Sequence, residues 1–72
     1  MSEDAKKEYA PHQQRVIDER NELQAKFSNL GVFILDNPIF NTLDVEEQFD
    51  LRSQHDVMGE YLDILGRRIL RF

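Results

Sequence analysis

Apolar residues recur at helical spacing along two long stretches of this chain. In the later one, Leu51, His55, Met58, Leu62, Leu65, Ile69 and Phe72 alternate at intervals of four and three, an a/d seam on one helix face. In the earlier one, Val16, Leu23, Phe27, Leu30 and Ile34 share a single stripe, and Asp18 to Glu22 with Gln24 fill the polar remainder. Pro11 suits the first position of a helix, where its missing N–H has no partner to lose, and Asp36-Asn37-Pro38 stops the pattern. The first helix therefore spans residues 11–36, running through Gly31 at a propensity cost of about 1 kcal/mol.

Residues 37–43 (NPIFNTL) are too apolar for a plain loop, so Ile39, Phe40 and Leu43 are expected in a short helical turn that plugs the helix ends. The second helix spans residues 44–72. Asp44 as N-cap with Glu47 three residues on reads as a capping box, and Glu46 and Glu47 suit the positive end of the helix dipole. Residues 1–10 (MSEDAKKEYA) are charged and bounded by Pro11, which reads as an arm or a short helix carrying Tyr9. The chain is thus all-α, one antiparallel two-helix hairpin with an N-terminal arm.

Such a hairpin has more apolar residues than one seam can cover. Ile17, Phe33 and Leu35 lie off the first stripe, and Val45, Phe49, Val57, Tyr61, Ile64 and Leu70 lie off the second. Uncovered apolar surface of that extent marks an interface, so a homo-oligomer is expected, at least a dimer that makes a four-helix core or something larger. Size points the same way. A chain of 72 residues without cysteine has no disulfide or thiolate-metal staple to supplement a small core.

Charge and residue chemistry narrow the function. Fourteen acidic residues against nine basic ones give a net charge of -5, which argues against a general nucleic-acid binder. No apolar run reaches the roughly 18–20 residues of a membrane span, and the polar N-terminus has no signal-peptide core, so a cytosolic location is expected. His12 has no nucleophile or carboxylate fixed beside it, and His55 falls on the seam between Leu51 and Met58, where a paired interface histidine outweighs a base and where Asp56 and Glu60 add only a weak metal signal. No phosphate loop, paired-carboxylate cleft or strong metal-ligand spacing occurs, so neither catalysis, cofactor nor metal is expected.

Residues 36–63 hold eight acids and the single base Arg52. Most acidic faces of this kind are simply solvated, though one can also block a host protein by imitating DNA. The cations are fewer and better placed. An antiparallel hairpin brings Arg15 beside Arg67, Arg68 and Arg71, with Tyr9 and His12 at the same pole. Guanidinium forks bind phosphate oxygens and aromatic faces stack on bases. The same arginines also satisfy the C-terminal helix dipole or pair with Glu60 and Asp63, and charge alone leaves both uses open.

Three stretches carry a family resemblance: His12 to Lys26 (HQQRVIDERNELQAK), Asn37 to Phe40 (NPIF) and Met58 to Ile69 (MGEYLDILGRRI). Over residues 9–72 they resemble small proteins of crAss-like bacteriophages, similar in plan to the helical-hairpin anti-CBASS and anti-Thoeris sponges. Those sponges are oligomers that sequester cyclic di- or trinucleotide or cyclic ADP-ribose signals between protomers without chemistry. The resemblance implies that Tyr9 stacks on a base, that Arg15 meets phosphate in place of the sponges' lysine, and that Arg68, in a Leu-x-x-Arg-Ile setting, serves a trinucleotide pocket. His12, Lys26 and Arg67 complete the candidate ligand-binding set, and the resemblance implies assembly up to a hexamer and a location in the host bacterial cytoplasm.

Overall fold

A computed structural model describes residues 8–72; of the arm expected over residues 1–10, residues 1–7 lie outside them, and residues 8–10 are in neither helix nor strand. Helix α1 spans Pro11–Asp36, a 3-10 turn η1 spans Pro38–Thr42, and helix α2 spans Val45–Leu70. Contacts between the helices run in opposite order along the two elements. Tyr9 meets Phe72, Glu19 meets Tyr61, and Phe27 stacks on His55, so the hairpin is antiparallel.

Local chemistry sets the ends. The backbone N–H of Ala10 donates to Gln13 Oε1 at 2.9 Å, and the Ala10 carbonyl accepts from the N–H groups of Gln13 and Gln14. Two of the unpaired donors that open a helix are thereby satisfied. At the other end, Asn37 leaves helical angles and its Oδ1 accepts the Ile39 N–H at 2.9 Å, which starts the turn around Pro38. Asp44 occupies the N-cap position of α2 but makes no side-chain cap hydrogen bond, contrary to the capping-box expectation. The Gln48 side chain instead reaches back to donate to the Leu43 carbonyl at 2.9 Å, which ties the connector to α2 without capping a helix N–H. A five-atom amide can reach back over the first turn, whereas the Asp44 backbone is set to deliver its own carbonyl to the Gln48 N–H.

The interior is thin. Principal extents of 48 × 23 × 15 Å describe two rods side by side in a layer one helix thick. Every residue of the α2 seam from Leu51 to Phe72 is buried or half-buried, as is the whole α1 stripe from Val16 to Ile34. Among the described residues the fully enclosed side chains are Phe40 and Leu65, with Val16 close behind. Phe40 is the plug of the connector end: Phe33 meets its ring edge-on at a centroid distance of 6.0 Å, and the Arg52 guanidinium lies 4.9 Å from its centroid. Two expectations change here. Ile39 points to solvent at 57% exposure, because the 3-10 turn can aim only one of its two neighbouring apolar side chains inward. Phe33 and Ile17 are half-buried within the single chain, so they leave the set of uncovered residues.

Two glycines mark where the helices come closest. A Cβ on Gly31 would sit 3.0 Å from His55 Nε2, and one on Gly59 would sit 3.2 Å from the Phe27 ring. Phe27 and His55 stack between them at 4.1 Å with planes 9° apart. Both glycines thus make room for one aromatic pair. Gly66 faces open space instead.

Replacing Gly66 with alanine should raise stability by about 0.5–1 kcal/mol through helix propensity alone. Gly31→Ala brings the same propensity gain but must displace a stacked His55, and should lower stability. Phe40→Ala should cost about 3–5 kcal/mol. Urea unfolding of the three variants checks the order.

Candidate functional site: a cationic pole and an adjoining groove

The pole foreseen from the sequence is assembled by the antiparallel register. Tyr9 stands edge-on to Phe72, with ring centroids 6.3 Å apart and planes at 63°, so the entry to α1 and the exit of α2 lie together. His12 and Arg15 are exposed on the first turns of α1, and Arg67, Arg68 and Arg71 are exposed at the end of α2. The Arg71 N–H is held by the carbonyls of Arg68 and Ile69, and Phe72 N–H by that of Ile69, which closes the last turn. Carbonyls at this terminus favour the nearby guanidinium groups. Phe72 contributes an aromatic ring to the pole that the sequence reading had assigned only to the seam.

Lys26 lies elsewhere. It is eleven residues beyond Arg15, about 16 Å farther along α1 at the helical rise. There it lines a groove of about 280 Å³ with Glu19, Glu22, Leu23 and Tyr61. Arg15, Glu19, Glu22 and Lys26 follow one another at spacings of four, three and four, so they form a row on one face of α1. Across the groove, Tyr61 donates its hydroxyl to Glu19 Oε2. That hydrogen bond raises the Tyr61 pKa above its ordinary 10.0, with desolvation and the Glu19 charge acting in the same sense and the Arg68 charge opposing them. Arg68 is therefore close enough to be felt at Tyr61. It links the pole to the groove. Tyr61 and Glu19 were not singled out as site residues, since pairing across the hairpin depends on a register that helical periodicity does not contain.

A second cleft, of about 220 Å³, opens at the connector end between Gly31, Ile34, Leu35, Arg52, His55 and Asp56. Its lining is mainly apolar side chain around the Phe27–His55 stack, and it is remote from the arginine pole. No group of three or more His, Asp or Glu residues is gathered for a metal among the described residues, and none of their helices is long and apolar enough to cross a membrane.

The sequence model of one family, Sequestin, matches residues 10–71, which takes in both helices, the turn and the arginine-bearing end. The chain belongs to the Sequestin family. Comparison with curated proteins and with solved structures returned no match. The family name speaks of sequestration, so membership fits a protein that acts by binding and holding a partner. All four exposed arginines of the pole fall within the matched region or at its last residue.

Because the folded-state pKa of Tyr61 lies above its unfolded value, its bond to Glu19 contributes fully below pH 10 and is lost as pH rises through the folded value. Glu19→Gln should therefore bring the Tyr61 tyrosinate transition down toward 10 in an absorbance titration. Tyr61→Phe should remove that transition and the alkaline loss of stability that accompanies it.

Proposed function

We propose that this protein is a phage anti-defence factor that binds and sequesters cyclic oligonucleotide immune messengers of the CBASS and Thoeris type, and releases them unaltered. The observation that supports the reading most is the gathering of exposed guanidinium groups at the pole of an otherwise acidic chain, within a Sequestin match that spans both helices. Cyclic oligonucleotides carry two or three phosphates and as many bases. Arg15, Arg67 and Arg68 offer phosphate forks, His12 offers a further donor, and Tyr9 offers a ring for stacking. Lys26 adds a cation on the same face of α1 as Arg15, beside the Tyr61 groove.

One protomer does not enclose a ligand of that size. The grooves on the hairpin are open, and the cations of the pole are exposed. A homo-oligomer that repeats the pole around a symmetry axis supplies two or three copies of each contact and matches the internal symmetry of the ligand. It also covers the apolar residues left at the surface of the single chain. Holding without cleavage follows from the side chains at the pole: they bind charge and stack on rings, and no nucleophile with an adjacent base stands among them. The site of action would be the cytoplasm of the infected bacterium, where these messengers are made.

Calorimetry against a panel of cyclic di- and trinucleotides and cyclic ADP-ribose isomers tests the reading, with chromatography of the released ligand. At least one member should bind well below micromolar and be recovered intact. Arg15→Ala and Arg67→Ala should each weaken it about ten- to hundredfold, the worth of a charged hydrogen bond, without lowering helicity. A panel without a binder, or a ligand recovered cleaved, overturns it.

A further inference from the structure

The exposed stripe of α2 is charged at both ends, with opposite signs, and apolar in the middle. Glu46, Asp50, Gln54, Val57, Tyr61, Ile64, Arg68 and Arg71 recur at intervals of three and four and are all exposed. They lie on one face of the helix that flanks the buried seam, and Tyr61 bonds from it to Glu19 in the row of Arg15, Glu19, Glu22 and Lys26. Val57 is 61% exposed and Ile64 46%, although both are large apolar residues at the centre of a continuous helix. The acids occupy the N-terminal third of the stripe and the arginines the C-terminal third.

A surface with that pattern is complementary to itself when reversed. We propose that two copies of the chain pair through this stripe, α2 against α2, antiparallel about a two-fold axis that passes near residue 59. In that register Val57 meets the partner's Tyr61, Gln54 meets the partner's Ile64, and Asp50 meets the partner's Arg68. Glu46 and Glu47 come level with the partner's Arg71. Each of these contacts occurs twice, as an isologous interface requires. Parallel pairing of the same stripes sets acid against acid and arginine against arginine, so like-charge repulsion excludes it. A standard interface takes about 800 Å² from each partner, and the chain, with 5768 Å² accessible, can supply that from one face of a helix and its flanks. The pair also brings the two α1 rows to either side of the joined stripes, which places Lys26 and the Tyr61 groove of each copy at the edge of the interface.

This pairing sets the two arginine poles about 30 Å apart at opposite ends of the dimer. It therefore deepens the homo-oligomer reading only as the contact that covers the α2 stripe: it engages Arg68, leaves Arg15 and Arg67 for phosphate, and leaves the joining of poles to a second interface. It does not depend on the identity of any ligand. It is tested on the ligand-free full chain by sedimentation equilibrium. Asp50→Arg and Arg68→Asp should each raise the dissociation constant of the pair at least about tenfold, since each reversal turns two attractions into repulsions. The double variant carrying both changes should recover most of that loss, because the charges then meet again with signs exchanged. Asp63→Arg, on a different face of α2, should leave the constant unchanged, and circular dichroism should report equal helicity throughout. A monomeric wild-type protein overturns both the pairing and the homo-oligomer reading. An oligomer that ignores the single reversals, or that the double variant does not recover, overturns the pairing alone.

Discussion

The Phe27–His55 stack is the contact on which the remaining geometry depends. Two helices of 26 residues touch along a single seam, and a repeating seam of Leu, Ile and Met side chains alone permits registers displaced by a heptad with similar burial. A flat aromatic pair that fits only where Gly31 and Gly59 clear space for it has one position. Once that position is set, the antiparallel geometry brings Tyr61 to Glu19 and Tyr9 to Phe72, and the arginines of α2 arrive beside Arg15. The stack thus serves the site from roughly mid-hairpin, without touching it.

A layer one helix thick has consequences for function. Burial on both sides of a helix requires a third element, and this chain has none among its described residues, so large apolar side chains such as Leu35 and Leu70 remain more than 80% exposed. At about 25 cal/mol per Å² of apolar surface, such residues represent unused stabilisation that a further copy can supply. The same openness leaves the cations of the pole exposed. Assembly and ligand enclosure are in this way two answers to one deficit: the protomer is too thin to finish either its core or its pocket.

Sequestration asks little of a scaffold chemically and much of it geometrically. Binding an anion on an acidic protein requires cations collected in one place and acids kept from the same spot. Placing the arginines in the last turns of α2 does this, since the carbonyl end of the helix favours them and the acids suit its other end, where Glu46 and Glu47 stand. Membership in the Sequestin family accords with that economy of parts.

Much of this was legible in the linear order of residues. Periodicity identifies the buried stripes, because the residues 3.6 apart that must leave water are fixed by the helix itself. Pro11 and Asn37-Pro38 mark where α1 starts and stops, because proline constrains its own and the preceding backbone wherever it occurs. The exposed set of Val45, Phe49, Val57, Tyr61, Ile64 and Leu70 also follows from the pattern. Cross-helix facts do not. Whether Ile39 or Phe40 turns inward and that Tyr61 finds Glu19 depend on how two rods slide and rotate against each other. That choice is made by packing between residues distant in sequence, the stacked ring pair above all. Helical periodicity determined which faces meet; the fit of Phe27 and His55 between two glycines decided where along those faces they do.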